Sequence, residues 1–217
     1  MLNFFTVAVP LLAMVTTNTA SLPFSSYKLQ GPPPPVDEKP YSIIKEFEPE
    51  KTAILEVAPP KPKEKRLICK GCNEHENATL AFFQDRGIRD RNALATIMGN
   101  IRQESTFVPN ICEGGSRTSY YNCGRGYGLI QFTSASRYYG LGAFAKKIGG
   151  NPSTADTQLR YITTEPQWKS IENRMKVSGK SIDRYMNYAY EWIGWGHHGA
   201  RTQYAYDYAK RLVLADV

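Results

Sequence analysis

The rhythm of apolar and polar positions divides the chain into three stretches. Residues Phe4 to Val15 form a largely apolar run of twelve, interrupted by Pro10. A bilayer span needs about 20 apolar residues, so this run is too short for a stable membrane span. Its length fits the core of a signal peptide, with Thr19-Ala20 before Ser21 as a small-residue cleavage site, although no Lys or Arg precedes it. The other reading is an apolar tail that docks on a partner protein. A proline-spaced, charged stretch follows, from Gly31-Pro-Pro-Pro-Pro35 to Pro59-Pro60-Lys61-Pro62-Lys63. Such composition favours extended polyproline II and cannot bury a core. Within it, Tyr41–Lys45 and Ala53–Val57 are short apolar patches that could pair with another protein's surface. The expected organisation is a segment 1–27, a linker 28–66 and one domain, 67–217.

Beyond Cys72 the apolar spacing becomes helical. Asp90 is a candidate N-cap, with Leu94, Ile97, Met98 and Ile101 following at i, i+3, i+4 and i+7, and Pro109 limiting the helix to about Ser105. Ser181 heads a second stripe of Ile182, Tyr185, Met186, Ala189 and Ile193. Further helices are predicted over 78–86, 134–148, 154–163, 167–177 and 200–214. The glycine-rich segment 109–131 lacks this period and reads as a loop or small β-hairpin inserted between helices. The expected fold is mainly α, preceded by an extended arm.

Charge changes the picture only in part. The formal net charge is +7, which favours an anionic partner without choosing among nucleic acid, membrane and bacterial wall. No recognition-helix motif, RNA-binding signature or long basic run accompanies it, so nucleic acid is not expected as a partner.

Glu104 is the first candidate for chemistry. It ends the apolar stripe at the carboxy-terminal turn of its helix, where the helix dipole and apolar neighbours both disfavour a carboxylate. An ordinary glutamate, near pKa 4.3, holds a proton in about one molecule in 500 at pH 7. Raising the pKa to about 6 brings that to roughly one in ten, which suits a general acid. The alternative is a glutamate pointing into water or paired with Arg102 or Arg91.

Glu104-Ser105-Thr106-Phe107-Val108-Pro109, followed by Gly126-Tyr127-Gly128-Leu129-Ile130-Gln131, resembles the paired motifs of the lysozyme-like superfamily that includes soluble lytic transglycosylases. The resemblance is closest to the phage tail lysozyme family, through Gly99-Asn100-Ile101-Arg102-Gln103-Glu104-Ser105, Arg137 and Gln158–Ile162, and more weakly Tyr190-Glu191. It covers about 90–217. It implies a lysozyme-like fold that cleaves the β-1,4 bond between N-acetylmuramic acid and N-acetylglucosamine in peptidoglycan, with Glu104 as catalytic acid. Ser105, Tyr127 and Gln131 would then be substrate-binding. It also implies a protein of the virion, held to tail components by its amino-terminal arm and acting in the host periplasm; a secreted wall enzyme is the second choice. The rival function is an inactive tail or baseplate subunit that keeps the domain as a binding module.

Glycoside hydrolysis usually needs a second carboxylate. Glu113, the only acid in the irregular segment, is the candidate. If no second acid exists, transglycosylation through the substrate's own groups is favoured. Glu165 and Glu191 are expected in salt bridges. The segment Tyr185–Tyr208 carries eight aromatic residues, which read as helix packing or as a saccharide groove; His197-His198 read as structural or solvent-facing. No cofactor is required. The four cysteines, Cys69, Cys72, Cys112 and Cys123, suit a four-thiolate zinc site or a Cys112–Cys123 disulfide.

Overall fold

The computed structural model describes residues 64–216. The apolar run and most of the proline-rich linker therefore lie outside the described residues. Among the described residues there are seven helices: α1 Glu74–Asp85, α2 Arg91–Ser105, α3 Ala135–Ile148, α4 Ala155–Ile162, α5 Pro166–Lys176, α6 Ile182–Ile193 and α7 Arg201–Arg211. One two-stranded antiparallel sheet joins β1, Lys65–Cys69, to β2, Leu212–Asp216. The mainly helical fold is as expected.

The expected caps act as such. Asp90 accepts from the amides of Asn92 and Ala93 at 2.8 and 3.0 Å, and the Ser181 hydroxyl accepts from the Arg184 amide at 3.2 Å. Each satisfies amide groups that the first helical turn leaves open. At α1, Asn73 and Glu76 form a reciprocal capping box.

Helix α2 is the centre of the core. Every residue from Ala93 to Ile101 is buried, including the polar Thr96 and Asn100, so the helix is surrounded rather than amphipathic. Helix α7 packs tightly against it at Gly99. A Cβ there would lie 2.6 Å from the Ala205 amide nitrogen and 2.8 Å from the Arg201 carbonyl, both backbone atoms of α7. Only glycine lets the two backbones come this close. Phe83, Trp168 and Trp192 meet in sequence, the first pair tilted and the second edge-on, with neighbouring ring centroids 4.9 Å apart, and join α1, α5 and α6.

One feature departs from the expected elements, and one resolves to the first of two expected forms. Residues 212–214 were expected to end the last helix; instead they begin β2, with Cys69 opposite Leu212 and Lys65 opposite Asp216. The clasp closes the two ends of the domain, and β1 starts inside the stretch assigned to the linker. The Gln84 side chain holds β1 further, accepting from the Leu67 amide at 2.8 Å and donating to its carbonyl at 2.9 Å. The glycine-rich segment is a loop rather than a regular hairpin. It has isolated bridges at Ile111–Arg117 and Cys112–Tyr127 and one 3-10 turn, Tyr120–Asn122.

The sulfurs form two separate pairs, Cys69–Cys72 after β1 and Cys112–Cys123 across the loop. Among the described residues no group of three or more His, Cys, Asp or Glu is placed to hold a metal. We propose the disulfide as the working form of the loop pair. A closure of this length restricts the unfolded chain by about 3 kcal/mol. Replacing Cys112 and Cys123 by serine should therefore lower unfolding free energy by about that amount. In denaturant melts a reductant should act on the parent protein and a chelator should not. The opposite pattern would point to zinc.

Candidate active site

Helix α2 ends in an unusual way, and that ending sets Glu104 in place. Directly after Ser105 the chain passes through two non-glycine residues with left-handed backbone, Thr106 at φ 48° and Phe107 at φ 61°. Each such residue costs about 1 kcal/mol or more. The Phe107 ring, which is buried, anchors the turn in the core. Glu104 is left in the last helical turn, its side chain 14% exposed, opening on a cleft of about 670 Å³. Gln131, Arg137, Trp192, Trp195 and Arg201 are among the groups that share this cleft.

Arg201 is the immediate partner of Glu104. Its Nη2 donates to Glu104 Oε1, and its side chain is only 5% exposed. Its Nη1 donates to the carbonyls of His197 and His198 at 2.9 and 2.7 Å, and the guanidinium lies 4.8 Å from the centre of the Trp195 ring. The loop carrying these groups is tied to α2 by Gln103, whose Oε1 accepts from the Ala200 amide at 2.8 Å. Gly199, at φ 60°, leaves room for the Gln103 side chain, whose atoms would lie 2.7–2.8 Å from a Cβ there. Two forces therefore act on the Glu104 carboxyl. Burial raises its pKa, the paired Arg201 guanidinium and, more weakly, Arg137 lower it, and the net displacement is upward.

The other carboxylates of this region are held by arginines. Glu165 takes a bidentate pair from Arg137, 2.7 and 2.8 Å long, with the glutamate side chain 3% exposed. Glu191 is gripped by both Nη groups of Arg174 at the surface, which lowers its pKa. Both are in salt bridges, as expected from sequence. Glu104 itself pairs with neither Arg102 nor Arg91, but with a residue 97 positions away.

Residues 74–212 match the family model described as phage tail lysozyme, well over half of the chain. The chain belongs to the phage tail lysozyme family. No curated protein and no solved structure matches it. With membership come a lysozyme-like, phage-associated peptidoglycan hydrolase role and peptidoglycan as the implied substrate. The match begins at the first residue of α1 and ends at the first residue of β2, so it takes in the whole helical body of the phage tail lysozyme domain.

Of the residues expected to form the site, Glu104 and Gln131 share the cleft. Gln131 is held at φ 50° with its Nε2 donating to the Gly128 carbonyl at 3.1 Å. Ser105 and Tyr127, expected to bind substrate, are instead buried. The Ser105 hydroxyl donates to the Leu129 carbonyl at 2.9 Å, and the Tyr127 hydroxyl hydrogen-bonds Thr118 and Ser153. Their polar groups are spent on fastening the glycine-rich loop to the helices behind it. Glu113 is exposed and does not line the cleft. Its Oε2 accepts from the Gly126 amide at 3.2 Å. It lies near the rim all the same: a Cβ on Gly126 would be 3.5 Å from this oxygen and 3.1 Å from Gln131 Oε1.

Among the aromatics of Tyr185–Tyr208, Tyr185, Tyr188 and Tyr208 are core, the buried Trp192 also borders the cleft, and Trp195 lines it. His197 and His198 are exposed, and their carbonyls matter more here than their rings. Arg201 was missed. The one sequence signal for it is its place at i with Ala205 and Tyr208 at i+4 and i+7, a charged residue on a buried face. Among the described residues, no helix is long and apolar enough to cross a membrane.

Proposed function

We propose that this domain cleaves the β-1,4 bond between N-acetylmuramic acid and N-acetylglucosamine, with Glu104 as the general acid. The observation that carries the reading is a largely buried glutamate whose pKa is raised by burial, at the wall of a glycan-sized cleft. A glycan in the cleft removes further water from the carboxyl and strengthens that upward shift. The acid then protonates the glycosidic oxygen as the bond breaks. Gln131, able both to donate and to accept, orients hydroxyl or acetamido groups. Arg201 fixes the Glu104 rotamer and stabilises the carboxylate left after proton transfer.

Glu113 is the proposed second carboxylate, reaching in from the rim beside Gln131. The biological setting we assign is a virion-borne enzyme, held to tail components through its amino-terminal arm, that opens the wall locally in the host periplasm during genome delivery. Mass spectrometry of the fragments released from purified peptidoglycan tests the chemistry. Reducing muramic ends are expected if Glu113 or another base activates water. A 1,6-anhydro end would mean that Glu104 works alone and the substrate's own hydroxyl closes the ring. Release of neither would leave the rival reading, a tail or baseplate module that binds the wall without cutting it.

A further inference from the structure

Behind the Trp195 wall of the cleft lies a second hollow of about 450 Å³ that the proposed chemistry does not use. Glu191 and Trp195 line both spaces. Its floor comes from one face of α6, where Asp183, Asn187 and Tyr190 follow at i, i+4 and i+7. Its far wall is His198 and Thr202, from the start of α7 and the loop before it. The rings form a continuous surface: Tyr190 meets Trp195 edge-on at 5.0 Å, and Trp195 meets His198 at 5.7 Å.

The charge of this hollow is opposite to that of the chain as a whole. No Lys or Arg lines it, although the protein carries a net charge of +7. Glu191 is neutralised by Arg174, but Asp183 has no ion-pair partner among the described residues. Arg184, its neighbour in sequence, stacks instead over Tyr188. His198 Nδ1 is directed at the Gly199 carbonyl, which can only accept, so the imidazole proton is placed there and Nε2 faces the Thr202 hydroxyl. The main cleft by contrast contains Arg137 and Arg201. A hollow lined by an unpaired carboxylate and by aromatic rings is the surrounding that an alkylammonium group selects, through charge and cation–π attraction together.

We infer that this hollow receives the amine-bearing peptide branch of the wall polymer while the glycan backbone occupies the main cleft. The inference rests on the glycosidase reading for the position of the backbone. The peptide leaves the muramic sugar next to the bond that breaks, and this hollow adjoins the cleft across Trp195 and Glu191. Its ligand is the free primary amine on a diamino-acid side chain, set against Asp183 with Tyr190 and Trp195 packed along its methylenes. Selection of this kind makes the enzyme prefer peptide-substituted wall over bare glycan.

The test is calorimetric binding by the full-length Glu104→Gln protein, which separates recognition from turnover. The probes are a peptide-bearing GlcNAc–MurNAc disaccharide with its free amine and the same compound after amine acetylation. The free amine should bind roughly fivefold tighter, and the difference should vanish when Asp183→Asn is added. Equal affinity for the two probes, or binding of neither, overturns the inference. Equal cleavage of native and acetylated sacculi by the parent protein would overturn it too, while leaving the glycosidase reading intact. Amine-dependent binding without any cleavage would do the reverse.

Discussion

Glu104→Gln should abolish wall cleavage while leaving the fold in place. The amide keeps an oxygen for Arg201 Nη2, so the buried guanidinium retains its partner, and thermal unfolding should change by only a few degrees. What the amide cannot do is deliver a proton. Loss of a positioned general acid costs roughly 10²- to 10⁴-fold, and turbidity clearing of purified walls should fall at least 100-fold. The parent protein should show the matching pH dependence. Because the folded-state pKa of Glu104 is raised, the acid form persists above the usual glutamate range. Activity should therefore be lost as pH rises through that raised value, not as it falls. Linkage gives stability the same sign: ionising a carboxyl whose folded pKa is raised costs folding free energy, so its contribution becomes unfavourable above the unfolded pKa. Unchanged clearing by the glutamine variant would remove Glu104 from the mechanism.

Gln158→Leu should be the most damaging change away from the cleft. The Gln158 side chain is fully buried and uses its whole amide. Oε1 accepts from the Leu129 amide at 2.8 Å, and Nε2 donates to the carbonyls of Pro109 and Pro152 at 2.6 and 2.8 Å. Leucine fills a similar space but strands three buried backbone groups, each costing about 1–3 kcal/mol. A loss of about 4 kcal/mol, or a fall in Tm of roughly 10 °C, is expected for a chain of this size. The cleft should suffer with it. Gly128, at φ 75°, sits so close that a Cβ there would lie 2.4 Å from Gln158 Oε1, and the next residues lead directly to Gln131. Clearing activity should drop further than the unfolded fraction explains, because the Gln131 wall loses its support. A melt within a degree or two of the parent would show that water or rearrangement satisfies those groups.

These two glutamine and glutamate positions show where sequence reading succeeds and where it stops. Glu104 could be picked out because its helix, cap and stop signals are local: Asp90, the apolar stripe and Pro109 all lie within twenty residues. Gln158 was visible only as part of a motif, and nothing local says that its amide crosses to Pro109 and Leu129. The same motif words misdirected Ser105 and Tyr127 toward the substrate. A short motif does not distinguish a residue that touches ligand from one that holds the touching residue in place. Leu212–Leu214 was read as the tail of a helix because so few residues carry too little periodicity to choose, and their partner strand begins at Lys65, at the other end of the domain.

What the amino-acid sequence determined by itself was the set of helices, the caps at Asp90 and Ser181, the irregular glycine-rich excursion and the glutamate at the junction between them. Those features depend on interactions within one or two turns, which repeat with a fixed period and leave a readable trace. Tertiary structure alone decided that Arg201 pairs with Glu104, that Arg137 and Arg174 occupy the neighbouring carboxylates, and that Asp183 lines the same hollow as Trp195 without an ion-pair partner among the described residues. Charge pairing acts through space and is indifferent to chain separation, so which acid keeps its proton is fixed only when the helices have packed.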